Sequence, residues 1–204
     1  MTAPEPVVRA MPMRRSLPWI VGGALVLLAG AVVAATPAEP QLHDEILVRG
    51  AVGDEVASRA LIATLQDATF TEQVVVPDDE WSAAGNWLVV RVAASAPHTE
   101  VDAELGLATL VVGGEEFRAS ERIRDSITRA DLRVGTDTIG QLAFELPEGL
   151  RAGAAELRLA PTISTPHLDD VLSIGLTLDA LPSTQSVELV PPTIWPADAE
   201  GDAP

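Results

Sequence analysis

The chain contains no cysteine, no lysine and no tyrosine in its 204 residues. Lacking thiols, it forms no disulfide, holds no metal through thiolate and carries no cysteine nucleophile. With lysine absent, all 13 basic side chains are arginine, set against 30 acidic ones for a formal charge of −17. That balance excludes nucleic acid as a partner, because phosphate backbones are held by a positive field. Aromatic residues are scarce: four Trp and three Phe leave little from which to build a stacking platform. Catalytic signatures are missing too. No G-x-S-x-G elbow, H-E-x-x-H pair, phosphate-binding loop or dinucleotide fingerprint occurs, and the histidines, His43, His98 and His167, stand in separate polar segments. A triad is defined by geometry rather than spacing, so an envelope hydrolase stays open only if the fold assembles one.

Carboxylates cluster at Asp78-Asp79-Glu80, at Glu115-Glu116 and around His167, Asp169 and Asp170. Calcium needs roughly six to eight converging oxygens. None of these runs has the alternating Asp-x-Asp spacing that supplies them, so they are expected to be solvated turns, with no metal and no cofactor.

One long apolar run is present. Leu17–Ala35 is 19 residues without a charge, and at about 1.5 Å of rise per residue a helix of that length reaches roughly 28 Å, near the hydrocarbon thickness of a bilayer. Backbone in hydrocarbon must satisfy its own hydrogen bonds, which predicts a helix despite Gly22, Gly23 and Gly30. Arg9, Arg14 and Arg15 precede the run, and Glu39, Asp44 and Glu45 follow it. Basic residues stay on the cytoplasmic side, so the N-terminal arm is expected inside and everything after Ala35 outside, with Trp19 as an interfacial anchor. A cleaved signal peptide is the alternative. Its apolar region is shorter, about 7–15 residues, and ends in a small-residue site; Ala34-Ala35-Thr36-Pro37 is a poor one, while cleavage after Ala38 is conceivable. Either way the bulk of the chain lies outside the cytoplasm. There it carries ten Arg against 29 acids, or −19, whereas the arm carries three Arg against Glu5, or +2.

Beyond the membrane segment the pattern is strand and turn. Thr36–Gln41 is a polar, proline-bearing spacer. Strands are expected at Glu45–Val52, Ser58–Phe70, Trp87–Ser95, Gly106–Val112, Glu115–Ser120, Ile139–Leu146, Ala155–Ala160 and Val171–Leu181, with Asp78–Gly85 as a polar loop. In Trp87–Ser95, Trp87, Val89 and Arg91 share one face and Leu88, Val90 and Val92 the other. Trp87 and Phe144 are expected to fill the centre of a core, while Trp81 and Trp195, in polar or proline-rich surroundings, are the aromatics to consider for partner contact, with burial under a loop the favoured reading for Trp81. Short strands without long helices indicate an all-β sandwich. The expected order is a cytoplasmic arm (1–16), a transmembrane signal-anchor helix (17–35), a spacer (36–44), the sandwich (45–182) and an acidic, proline-rich, disordered tail (183–204).

The strings VGDEV at Val52–Val56, GNWLVVRVAASA at Gly85–Ala96, LATLVVGGEEFRAS at Leu107–Ser120, GQLAFELPEG at Gly140–Gly149 and AELRLA at Ala155–Ala160 resemble the telokin-like, immunoglobulin-like extracellular domain of secreted proteins and lipoproteins in high-GC Gram-positive bacteria. The likeness spans about Val48–Leu181 and departs in having an anchor segment in place of a lipidated cysteine. It implies an immunoglobulin-like β-sandwich in the cell envelope and brings no catalytic residues with it.

One segment departs from the acidic background. Arg118, Arg122, Arg124, Arg129 and Arg133 face only Glu121, Asp125 and Asp131, a local +2. Ile123, Ile127, Ala130 and Val134 recur at helical spacing with Ser120 placed to cap, whereas the family resemblance makes the segment a cross-sandwich loop with at most a helical turn. These arginines either pair internally with the domain's carboxylates or form a patch that docks an acidic partner or a carboxylate ligand. The expected role is non-catalytic binding of an envelope protein. An auxiliary subunit of an export or uptake complex, and a secreted protein after signal cleavage, are the alternatives.

Overall fold

The computed structural model describes residues 21–26, 28, 46–77, 80–99, 103–123, 126–161 and 170–196. The chain divides into two units, Met1–Asp44 and Glu45–Pro204. In the first, residues 21–26 and 28 are helical, and Val21, Leu25, Val26 and Leu28 are exposed. The rest of the span expected over 17–35, together with the arm and the spacer, lies outside the described residues. No helix among the described residues is long and apolar enough to cross a membrane.

The second unit is a β-sandwich. Its strands are β1 (Ile46–Ala51), β2 (Glu55–Ala57), β3 (Ile62–Val76), β4 (Trp81–Ser95), β5 (Leu107–Val112), β6 (Glu115–Arg118), β7 (Thr136–Leu146), β8 (Ala154–Ala160), β9 (Asp170–Thr177), β10 (Ser183–Thr184), β11 (Val187–Glu188) and β12 (Thr193–Pro196). One sheet runs β1-β9-β8-β5-β6; the other runs β10-β3-β4-β7-β12, with β2 and β11 also paired to β3. β1 lies parallel to β9, whereas β3-β4-β7 and β5-β8-β9 are antiparallel. Inward residues of both sheets enclose the main core: Leu65, Phe70, Leu88, Val90, Leu142 and Phe144 from one, Leu110, Leu157, Leu159, Leu172 and Ile174 from the other. Alternation puts the residues of each strand on one face, and on β3 a register shift between Leu65 and Asp67 keeps Leu65 and Phe70, five apart, on the same side. The β5–β6 hairpin closes through Gly113 and Gly114, both at positive φ (61° and 89°). Two left-handed residues in sequence match the right-handed twist of the strands, and glycine adopts them without Cβ strain.

Four expectations are corrected. First, Ser58–Phe70 is not one strand: Ser58 Oγ accepts from the Leu61 amide and caps a turn, and β3 begins at Ile62 and continues to Val76. Second, Asp78–Gly85 is not a polar loop. β4 starts at Trp81, so 81–85 are strand, and Glu80 N–H donates to the Pro77 carbonyl at 3.1 Å; Asp78 and Asp79 lie outside the described residues.

Third, Trp87 is buried but not in the centre of the sandwich. It packs with Val74, Val76, Val89, Ile123, Ala143 and Leu189 in a second cluster on the outer face of the β3-β4-β7 sheet. Alternation along β4 puts Trp87 and Val89 on the face opposite Leu88 and Val90, and a bulge in the β3–β4 pairing turns Val74 and Val76 of β3 to the same side. The β3–β4 register shifts between Thr71 and Gln73, where Thr71 Oγ1 donates to the Gln73 carbonyl (2.9 Å) and accepts from its amide. One extra residue reverses the alternation, so Phe70 points into the main core and Val74 and Val76 point out to Trp87. Fourth, residues 183–196 are not a disordered tail, while 197–204 lie outside the described residues. β10 and β11 add to β3, β12 adds to β7, and Leu189 is buried over Trp87's cluster. This sheet is therefore covered on both faces.

Candidate functional site: the arginine-bearing crossover

The connection from β6 to β7, residues 119–135, crosses from one sheet to the other. Among its described residues, 119–123 and 126–135, the helical element is one 3-10 turn at Ile127–Arg129, not the helix its spacing predicts, and Ser126 rather than Ser120 caps that turn by accepting from the Thr128 amide. Ser120 N–H instead donates to the Ala143 carbonyl on the edge of β7 at 2.8 Å. Ile123 folds onto the outer cluster, while Ile127 and Leu132 insert into the main core. Of the expected apolar stripe, Ala130 is only half-buried and Val134 is exposed. Apolar residues four and five apart thus anchor an irregular chain on two different faces, a pattern that imitates a helix in one dimension. The anchoring is close: a Cβ at Gly140 would lie 2.7 Å from Ile127 Cβ, so only glycine lets the turn seat against β7. Leu132 N–H donates to the Ala103 carbonyl and Ala96 N–H to the Arg133 carbonyl, which ties the far end down.

With its apolar side chains inward, the crossover leaves its charges outward. Arg118, Arg122, Arg129 and Arg133 are all exposed; Arg124 lies outside the described residues. None of the four has an ion pair among the described residues, where the pairs are made by Arg59 with Asp170 (2.9 Å) and by Arg158 with Glu156 (3.1 Å) and Glu116 (3.9 Å). The Arg59 side chain, helped by its amide, holds the Asp170 carboxyl below its ordinary range. Burial alone would raise Glu156, but hydrogen bonds from the Ser173 hydroxyl and Arg158, with the charges of Arg158 and Arg49, more than offset it and the carboxyl is lowered. Arg151 is engaged as well: it donates to Asn86 Oδ1 and Ser183 Oγ and lies 5.2 Å above the Phe70 ring, whereas Arg49 and Arg91, both exposed, make no ion pair among the described residues. What sets the crossover arginines apart is their number within one short segment.

Two depressions flank the 3-10 turn, and Arg129 lines both. A shallow cleft of about 290 Å³ is walled by Ser126, Arg129, Ala130, Asp131, Arg133, Thr138, Pro192 and Ile194. A smaller one of about 70 Å³ includes Arg118, Ser120, Glu121 and Thr128. The larger brings together residues from the crossover, from β7 and from the C-terminal segment, since β12 pairs with β7 and sets Ile194 opposite Thr138. Of the five arginines singled out in the sequence, the structure gathers Arg129 and Arg133 at this cleft. Arg118 lines the smaller depression, and Arg122 lies on the surface outside both. Ser126, Thr138 and Ile194 carried no signal in the sequence, because only tertiary pairing joins them. Trp195, next to Ile194 on β12, is partly exposed.

The remaining candidates are dispersed. His98 is exposed, and His43, His167, Asp78, Asp79 and Asp169 lie outside the described residues. Glu115 and Glu116 are on the β5–β6 hairpin, Glu116 reaching Arg158. Among the described residues no three His, Asp or Glu side chains converge as a metal site would require.

No family model matches the chain, and no curated protein does. Among solved structures, an uncharacterized beta-sandwich protein from Clostridium difficile 630 is similar to it at a TM-score of 0.38 and 10% identity, over 66% of this chain and 95% of the other. So distant a likeness says nothing of the crossover or its arginines.

Proposed function

We propose that this chain is a single-pass membrane protein, N-terminus cytoplasmic, that presents a non-catalytic, immunoglobulin-like β-sandwich outside the membrane to bind an acidic protein of the cell envelope. The binding half is carried by one observation: four exposed crossover arginines without ion pairs among the described residues, in a portion of the chain that bears −19. A domain so acidic repels an acidic partner everywhere else, so a local cluster of bidentate guanidinium groups decides where such a partner lands. The membrane half is supported by the uncharged run Leu17–Ala35 and the arginines before it. The immunoglobulin-like reading is supported by strand order, since β3-β4-β7 and β5-β8-β9 follow the A-B-E and C-F-G arrangement of that fold.

Crosslinking in intact cells tests the binding half. Arg122→Glu combined with Arg129→Glu reduces recovery of the crosslinked partner by at least about tenfold while the melting temperature of the purified chain holds. Undiminished recovery would refute the docking surface. In the same cells, external protease should degrade the β-sandwich, and a protected sandwich would refute the topology.

A further inference from the structure

Thr138 is 2% exposed, and its Oγ1 is fully buried with no hydrogen-bond partner among the described residues. Buried hydroxyls are nearly always satisfied, and leaving one unpaired is unfavourable. Thr138 also forms part of the wall of the 290 Å³ cleft beside Arg129 and Arg133, the two crossover arginines that converge there. Ser126, 5% exposed, lines the same cleft. Its Oγ is an acceptor in the turn's cap, so its own hydrogen is free for donation. Arg129, Arg133, Ser126 and Thr138 therefore all line one small depression, with Pro192 and Ile194 as its apolar wall.

We infer that this cleft is a carboxylate-binding subsite that takes an Asp or Glu side chain of an acidic protein segment, with Arg129 and Arg133 as the charged clamp and Thr138 as a hydroxyl donor. The inference rests on the docking surface proposed above and assigns its specific contact. Charge selects the ligand. Asp131 also lines the cleft, so its fixed side chains sum to +1, which matches one carboxylate and not a dianionic phosphate. The apolar wall accommodates the methylenes of an acidic side chain. An unpaired buried hydroxyl is the kind of local defect that a protein retains at a site where something binds.

Calorimetric titration of the full-length chain in detergent micelles at low salt tests this, with a blocked hexaglutamate peptide, its glutamine counterpart and inorganic phosphate as probes. Hexaglutamate should bind, the other two at least about tenfold more weakly. Thr138→Val removes the hydroxyl while keeping the shape; it should weaken hexaglutamate binding about tenfold and leave the melting temperature of the unliganded chain unchanged or raised, because an orphaned polar group has been replaced by a methyl. Hexaglutamate binding unaffected by Thr138→Val overturns the subsite. If Arg129→Gln with Arg133→Gln still weakens binding in that case, the arginine surface survives without the cleft; if it does not, both fall. Phosphate binding as tightly as hexaglutamate overturns the carboxylate assignment.

Discussion

Removal of residues 183–204 should leave a chain that no longer holds its fold. The sequence marks these residues as a disordered tail, but Leu189 N–H donates to the Val75 carbonyl. Val190 N–H donates to Gln141 Oε1, and Ser183 Oγ accepts from Arg151, which itself lies over Phe70. Leu189 is 3% exposed above a cluster containing Val74, Val76, Trp87 and Val89. Uncovering a large apolar side chain costs about 1.5–3 kcal/mol. Opening several at once removes an amount comparable to the entire stability of an ordinary domain, about 5–15 kcal/mol. Deletion also bares β3 and the start of β7, two edges open to pairing with other chains. The expected result is an aggregating product without a cooperative thermal transition in circular dichroism. A truncated chain melting within a few degrees of the intact one would show that the C-terminal strands are dispensable.

Phe144→Ala is the most damaging single substitution expected. Phe144 is fully buried in the main core, on β7 opposite Leu88 of β4, the middle strand of the three long ones. Truncating a buried Phe removes its transfer energy and leaves a cavity that a sheet, held by its ladder, fills poorly; the cost is about 3–5 kcal/mol. For a domain of this size that lowers the melting temperature by about 10 °C or more. The equivalent change at Trp195, which is partly exposed on β12, should move it far less. A Phe144→Ala chain as stable as the parent would contradict the placement of the core.

The parts of this fold visible in the sequence are those where one strand buries one face. Leu88, Val90 and Val92 alternate without interruption, and Gly113-Gly114 between two apolar runs marks a hairpin. What stayed hidden depends on something other than period two. Thr71 and Gln73 form a bulge whose presence nothing in TFTEQVVV announces, and it alone sends Val74 and Val76 outward. Trp81–Gly85 mixes one large residue with small ones and follows three acids, so it reads as loop although it is paired along its length with β3. Leu189 stands in a short proline-bounded stretch, VELVPP, too brief to read as core; its burial is decided by the surface of Trp87 more than 100 residues earlier in the chain. At the site, the cluster of arginines was legible as composition, whereas the cleft was not. Thr138, Ser126 and Ile194 come together only through β7–β12 pairing and the seating of Ile127 on Gly140.

The decisive comparison is between folding and binding in one variant, with Arg118, Arg122, Arg129 and Arg133 all changed to Gln in the full-length chain. If these guanidinium groups exist for a partner, the variant melts at the parent's temperature, or slightly above it, and no longer binds hexaglutamate. A melting temperature depressed by many degrees with peptide binding intact would mean that the same groups serve the domain's own cohesion.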